Sequence, residues 1–259
     1  MNILDKIIAN KKTEVALHKA QFPIEHLLDP SFMERECVSF KNAIRNSDSG
    51  IIAEFKRKSP SKGWIHPDAR VESIVPEYTS GGAAAISVLT DQEFFGGNLN
   101  DLKRARELTH IPILRKDFII DEYQILQAKA FGADCILLIA SALTQDEIKH
   151  FTLLARSIGI EVLIEVHEKK ELDSIIITPD LIGVNNRNLK TFETSVDTSL
   201  MLYDDLPDEV IKISESGISS TESVHKLRQA GYDGFLMGEN FMKEVSPGDA
   251  LKSFCQQIV

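Results

Sequence analysis

Long apolar runs, paired cysteines and a surplus of positive charge are what this sequence is short of. No stretch of its 259 residues approaches the roughly 18 consecutive apolar residues of a membrane span. Asp5, Lys6, Lys11 and Lys12 interrupt the first apolar residues, so no membrane partner and no cleaved leader is expected, and the mature protein is expected to be the whole chain. The 3 cysteines, Cys37, Cys135 and Cys255, are scattered and form no CxxC pair. That set supports neither a disulfide framework nor a zinc site and points to a reducing, cytoplasmic setting. His66, His110, His150 and His167 show no metal-ligand spacing, and no metal is expected. Lys and Arg total 29 against 39 Asp and Glu, a formal charge of −10. A field of that sign repels phosphate backbones and argues against nucleic acid as a partner, so an anionic ligand would need a local cluster of Lys and Arg. With 43% hydrophobic and 26% charged residues, the chain can bury a full core as one large domain or two small ones.

The stretch IIAEFKRKSPSK, 51–62, organises the rest. It opens as a buried strand and sets Glu54 and Lys56 two residues apart, on the same face of a pleated strand. Ser59, Pro60, Ser61 and Gly63 then stop the strand in a turn, leaving that ion pair at its C-terminal end, where parallel α/β folds place their chemistry. For an isolated Glu-x-Lys, a solvated salt bridge is the simpler reading. Recurrence changes the balance.

Ahead of that strand, Ile3, Leu4, Ile7, Ile8, Val15 and Leu17 fall near helical spacing, predicting an amphipathic helix from residue 2 to about residue 20. Pro23 and Pro30 interrupt a second helical stretch, and 39–45 reads as a third. From Ile51 onward a strand-then-helix rhythm repeats, with strands expected at 51–56, 84–89, 111–116, 134–140, 160–166, 181–186, 210–215 and 234–238. Amphipathic stretches such as VESIVPEYTS, LNDLKRARELT and QDEIKHFTLLARS lie between them, and Gly81-Gly82, Gly132, Gly159 and Gly231 sit where a left-handed residue ends a helix. Strands this apolar, in eight such units, fit a closed (β/α)8 barrel better than an open sheet. An open doubly wound sheet remains the alternative, but its Gly-x-Gly-x-x-Gly fingerprint after the first strand is missing. One domain is expected, with a helical extension at 1–48 and the barrel at 49–259.

If the strands close, their ends converge on one mouth, and those ends are polar: Lys116 and Asp117, Glu165, then Asn185, Asn186 and Arg187, then Glu215 and Ser216. Each alone is a side chain reaching water. Several Lys and Glu in one concavity are an arrangement that shifts proton affinities and supplies a general acid and a general base. SESGI, 214–218, and MGEN, 237–240, place Gly217 and Gly238 in the turns after strands seven and eight, a common phosphate seat in such barrels. Ordinary tight turns are the alternative for either glycine alone. Lys56 and Arg187 could join the same anion. Phe94 and Phe95 follow strand two and Phe118 follows Lys116, which suggests a slot for a planar ring or a lid, although Phe94 fits equally well as an anchor of its own loop. Leu137, inside CILLIA, reads first as barrel core.

In order, AEFKRKSPSKG, SVLTDQEFFGG, ILRKDFIID, GADCILLI, EVLIEVH, IGVNNRNL, ISESGI and FLMGENFM resemble indole-3-glycerol phosphate synthase of tryptophan biosynthesis, and the likeness runs from ILDKIIANKKTEV to the last strand. The resemblance implies a (β/α)8 barrel whose N-terminal extension folds across the mouth. The implied reaction turns 1-(2-carboxyphenylamino)-1-deoxyribulose 5-phosphate into indole-3-glycerol phosphate, releasing carbon dioxide and water with no cofactor. Lys116 matches the general acid that protonates the ribulose carbonyl, and Glu165 the acid/base carboxylate of the dehydration. Glu54 matches the carboxylate orienting Lys56, which reaches the phosphate or donates a proton during dehydration. Asn185 and Arg187 match substrate-orienting residues, and Glu215 and Ser216 the floor of the site. Ser59, Gly217 and Gly238 match phosphate contacts, with Glu239 counted in the same turn, and Pro60, Phe95, Phe118 and Leu137 match the pocket for the anthranilate ring. Phe55 and Lys58 depart from the pattern, which has an Ile or Val and a small residue there, without touching a catalytic position. The partner implied is a small anionic substrate, and the expected state is a monomer able to associate with other tryptophan-pathway enzymes.

Two other readings compete. Phosphoribosylanthranilate isomerase would ask for a Cys or Asp acid/base pair at strand ends, and Cys135 falls early in its strand. A phosphate-binding barrel without catalysis would have to keep Glu54, Lys56, Lys116 and Glu165 together at a desolvation cost of several kcal/mol each without using them.

Overall fold

The computed structural model describes residues 3–188 and 191–259, so the expected helix start at residue 2 and Leu189 of the NNRNL stretch lie outside the described residues. Eight parallel strands close into a barrel in the order of the chain: Ile51–Phe55, Ala85–Leu89, Ile113–Lys116, Cys135–Ile139, Glu161–Val166, Leu181–Asn185, Ile211–Glu215 and Gly234–Met237. Ile52 pairs with Ala85 on one side, and Ile51 with Phe235 on the other, which shuts the ring. All eight fall where the apolar runs predict them, each trimmed by a residue or two at one or both ends. The expected helices form at Val71–Ser80, Leu99–Leu108, Glu122–Ala130, Gln145–Ser157 and Thr221–Ala230, and Pro247–Ile258 completes the outer ring. Of the expected terminating glycines, Gly82, Gly132, Gly159 and Gly231 are left-handed, with φ of 101°, 94°, 78° and 108°. The unit after the fifth strand is irregular: a 3-10 turn, Lys169–Ser174, stands where a regular repeat would have an α-helix.

Alternation along each strand decides what faces the axis. Ile51, Ala53 and Phe55 pack outward under the helices, while Ile52 joins Leu114, Leu137, Leu163, Ile213 and Leu236 in the apolar filling of the barrel. Glu54 continues the inward set toward the C-terminal rim. A strand buried on both faces is mostly apolar, so a charge on the inward face marks an end of the filling. Phe55 and Lys58 are both away from the centre: Phe55 is outer core under the Arg57 guanidinium, and the Lys58 ammonium reaches the Glu93 carbonyl at 2.7 Å.

The N-terminal extension divides between the two ends of the barrel. Its first helix, Ile3–Gln21, brings Ile3, Leu4 and Ile7 to the mouth. Leu27 then packs with Tyr123 and Leu126 of helix Glu122–Ala130, carrying the chain down the flank. The last helix, Phe40–Arg45, closes the opposite end: Phe40 and Ile44 join the interior cluster, and Glu161, at the start of the fifth strand, accepts from Ser39 Oγ and the Lys41 N–H at 2.7 Å each. The extension over the mouth is therefore its first helix, and the rest is a strap and a plug. The apolar ring at the strand starts needs a cover as much as the mouth does, and Phe40 supplies it.

Candidate active site

Of the residues singled out at the strand ends and their turns, all but Asn186 and Phe94 line one cavity at the C-terminal rim: Glu54, Lys56, Ser59, Pro60, Phe95, Lys116, Asp117, Phe118, Leu137, Glu165, Asn185, Arg187, Glu215, Ser216, Gly217, Gly238 and Glu239. Backbone register is the cause. Lys116 and Glu215 end their strands and Glu165 is next to last in its own, all on the inward parity, so three long side chains from the third, fifth and seventh strands meet near the axis.

The Lys116 ammonium sits between two carboxylates, 2.8 Å from Glu165 Oε2 and 2.7 Å from Glu215 Oε2. Burial would lower the lysine's proton affinity, but the two carboxylates overcome it and hold Lys116 well above its usual value, so it is an ammonium throughout the neutral range. The carboxylates diverge. Burial pushes both up, yet Lys116 and then His167 pull Glu165 below its usual range, whereas burial and the neighbouring charge of Glu165 leave Glu215 above it against the pull of Lys116. Two acids sharing one ammonium thus settle as one ionised group and one that keeps its proton more readily. Glu215 Oε1 is buried without a hydrogen-bond partner among the described residues, and it lies over Gly183, where a Cβ would come within 2.1 Å of it. Gly183 is what makes room for that carboxylate.

On the first strand, Glu54 Oε1 lies 2.5 Å from Lys56 Nζ. Gly238, on the neighbouring eighth strand's end, is the space Glu54 occupies: a Cβ there would meet Glu54 Oε1 at 2.4 Å. The turns after strands one, six, seven and eight make the rim. Arg187 Nη1 donates to Ser61 Oγ at 3.2 Å, and Lys62 pairs with Glu239 at 3.5 Å, so the Glu239 carboxylate faces a lysine and leaves backbone to the turn. Ser216 is left-handed at φ 67° and Gly217 follows at 71°; a non-glycine residue held there is strained, and the Asn186 amide fixes it by donating to the Ser216 carbonyl at 3.0 Å.

The apolar wall is an aromatic pair, Phe95 and Phe118, with ring centres 5.9 Å apart, next to Leu137 and Ile139. Phe95 faces the cavity, whereas Phe94 does not line it and is tied at its N–H to Asp91 Oδ1 at 2.8 Å. Leu137 is both things at once, 2% exposed in the interior cluster and part of the cavity floor.

Three neighbours in the polar ring separate by parity or by partner. Asn185 points in and accepts from the Arg187 N–H at 3.0 Å, while Asn186 points out and is buried against Ser199, Ser214 and Ser216. Asp117 follows Lys116 but its carboxylate belongs to Lys11, Arg115 and Thr90. Ile3, Leu4, Ile7 and Phe192 line the cavity without having been singled out individually. The helical spacing of the first three carried a signal for an apolar face, though not for its destination. Phe192, left-handed at φ 62°, sits in an irregular loop with no repeat to mark it.

Residues 4–254 match the family model described as indole-3-glycerol phosphate synthase. The indole-3-glycerol phosphate synthase of Bacteroides thetaiotaomicron is 52% identical over 257 residues, 99% of each chain, and that of Laribacter hongkongensis is 44% identical over 256 residues, 96% of this chain and 97% of the other. Solved structures share the fold at low identity: a tryptophan synthase complex chain of Pyrococcus furiosus has a TM-score of 0.61 at 18% identity, covering 82% of this chain and 98% of that one. A 3-hexulose-6-phosphate synthase has 0.62 at 11%, covering 81% and 100%. With near full-length identity to named relatives on one side and a barrel whose strand ends converge on one charged cavity on the other, this chain belongs to the indole-3-glycerol phosphate synthase family.

Proposed function

We propose that the cavity converts 1-(2-carboxyphenylamino)-1-deoxyribulose 5-phosphate to indole-3-glycerol phosphate by ring closure, decarboxylation and dehydration, with this chain's side chains as the only acids and bases. The observation that carries the assignment of roles is the Lys116 ammonium held between Glu165 and Glu215 beside the Phe95–Phe118 wall. Stacking on that wall sets the anthranilate ring against the ketone. The ring carbon bearing the carboxylate attacks the ketone carbon, and Lys116 gives the new alkoxide its proton. A lysine with raised proton affinity can still do so, because an alkoxide is more basic than an amine. The bond to the carboxylate then breaks, carbon dioxide leaves, and its electron pair restores the aromatic ring. In the last step the tertiary hydroxyl departs as water while a proton leaves the adjacent methylene carbon. The first and fifth strands lie opposite each other in an eight-stranded ring, so Lys56 and Glu165 approach the substrate from two sides. Glu165, ionised, takes the methylene proton. Lys56, oriented by Glu54, protonates the leaving hydroxyl.

The phosphate is assigned to the rim formed by Ser59, Gly217 and the Gly238-Glu239 turn, within reach of Lys56 and Arg187. The glycines of these short turns support it, since they let backbone N–H groups approach an anion. Inorganic phosphate is expected to compete with substrate at about millimolar concentration. Gly238→Ala should weaken that competition about tenfold and lower turnover as well, because its Cβ displaces Glu54 from Lys56. Initial rates at several phosphate concentrations check both; no competition in the wild type removes the phosphate seat from this rim.

The activity itself is tested by mixing the purified chain with the carboxyphenylamino ribulose phosphate and following indole fluorescence together with carbon dioxide. Both should appear in equal amounts, and neither appearing would overturn the reading. Phosphoribosylanthranilate isomerisation is disfavoured by Cys135, which opens its strand inside the apolar barrel, with burial raising its thiol well above the usual range. The contacts of Lys11, Leu27 and Phe40 with the barrel support 1–48 as part of one domain with 49–259. No helix among the described residues is long and apolar enough to cross a membrane, and three free cysteines support a reducing compartment.

A further inference from the structure

The inward parity that places Leu163 and Glu165 at the axis extends one step further, to His167, just past the end of the fifth strand. Its ring does not line the cavity. Instead it lies behind Glu165, with Nε2 3.4 Å from Glu165 Oε1 and Nδ1 3.5 Å from Glu171 Oε2. Both ring nitrogens are shut away from solvent and neither reaches hydrogen-bond geometry with a described residue, so the two carboxylates act on the ring as charges at ion-pair distance. Glu171 is itself fixed, because its Oε2 accepts from the backbone N–H of His167 at 2.7 Å. That contact requires the 3-10 turn Lys169–Ser174, which folds position 171 back over position 167 in place of a regular helix.

We propose that His167 is a positioning residue that fixes the second oxygen of Glu165 and so decides which of the two carboxylates sharing Lys116 remains the base. This rests on the reading of the mouth as the catalytic site. Lys116 alone would treat Glu165 and Glu215 alike, since it stands 2.8 Å from one and 2.7 Å from the other. A cation on the far side of Glu165 breaks the tie. The groups facing the ring are Glu165 on its own strand, Glu171 on the following turn and Glu215 on the seventh strand, with Lys116 beyond Glu165. Burial works against a charged imidazole, but Glu171, Glu165 and Glu215 outweigh it and raise its proton affinity. The imidazolium in turn helps Lys116 to keep Glu165 ionised, while Glu215, with no second cation among the described residues, holds its proton more readily. The clamp also holds the carboxylate still for proton abstraction, which a carboxylate tethered on one oxygen cannot match.

The test uses full-length wild type, His167→Phe, His167→Gln and Glu171→Gln, each followed by kcat, KM and the pH dependence of kcat/KM. Removing the cation strengthens Glu165's hold on a proton, so the acid limb should move to higher pH by about one unit in both His167 variants and by less in Glu171→Gln. His167→Phe should lower kcat about tenfold with little change in KM. His167→Gln, which keeps a polar N–H group beside Glu165 but no charge, should recover part of kcat while its acid limb stays displaced. A histidine that merely fills space would lower the melting temperature and leave the profile superimposable on wild type, and that result overturns the proposal. An independent readout needs no turnover: the His167 ring protons of the wild type, followed by NMR, should titrate above the ordinary value of about 6.5 and drop in Glu165→Gln. A ring already neutral at pH 6 overturns the proposal whatever the assay shows. Absence of turnover in the wild type with a normal His167 titration would instead count against the reading of the mouth.

Discussion

Lys116→Met should lower turnover by about 10²-fold or more while leaving the barrel folded. Methionine keeps the length and apolar stem of the lysine and removes only the ammonium. Two consequences follow from where that ammonium sits. The alkoxide formed at ring closure loses its proton donor, so the loss falls on kcat and on kcat/KM rather than on KM alone. Glu165 and Glu215 also lose the cation between them, and two carboxylates in one buried space cannot both stay charged. They should take up a proton between them, which limits the cost in stability and further disables Glu165 as a base. Phosphate competition should survive, because Ser59, Gly217 and Gly238 lie on the rim and owe nothing to Lys116. Steady-state kinetics, circular dichroism and a phosphate titration on the same preparation separate these effects. Turnover close to wild type would remove Lys116 from the chemistry, and loss of phosphate competition would show general damage to the mouth.

The parts of the site that the sequence reveals are those governed by local periodicity. Glu54 and Lys56 share a face because strands alternate, and the same parity brings in Lys116, Glu165, Asn185 and Glu215 once the strands are known to close. Burial of both faces is legible from strands too apolar to have a wet side, and eight such units without a dinucleotide fingerprint favour closure. What resists reading is anything set by a distant partner. Asp117 and Lys116 are adjacent charges at one strand end, and nothing local says that one faces the cavity and the other faces a lysine more than a hundred positions upstream. His167 was one of several unremarkable histidines until the 3-10 turn carried Glu171 to it. The extension reads as amphipathic helices, but which end of the barrel each covers depends on which apolar ring is left open. Phe40 goes to the strand starts and Ile7 to the mouth for that reason.

Lys11→Met should cost about 3–5 kcal/mol of stability, the expected loss when one member of a buried ion network is removed and the others stay. Lys11, fully buried on the first helix, lies 2.9 Å from each of Glu14, Asp91 and Asp117. Asp117 leans on Arg115 as well, at 3.0 Å, but Asp91 is buried and has no second cation at salt-bridge distance among the described residues. The network joins three pieces of the mouth. Asp91 caps the short helix that carries Phe95, Asp117 follows Lys116 directly, and the first helix brings Ile3, Leu4 and Ile7 to the cavity. Losing the lysine should therefore raise KM as well as lower the melting temperature, by about 10 °C for a chain of this size. The pH dependence has a definite sign. Lys11 and Arg115 hold Asp117 below its usual range against burial, so its contribution is present above about pH 4 and is lost only in stronger acid. Asp117, Asp91 and Glu14 hold Lys11 above its usual range, again against burial, so its contribution persists below about pH 10 and fades only in stronger base. Between about pH 5 and 9 neither group changes charge in the wild type, so the wild-type network should add a constant amount to stability across that window in denaturant titrations. A melting temperature within a degree or two of wild type would mean that the first helix docks on its apolar face alone and that the ion network adds nothing to it.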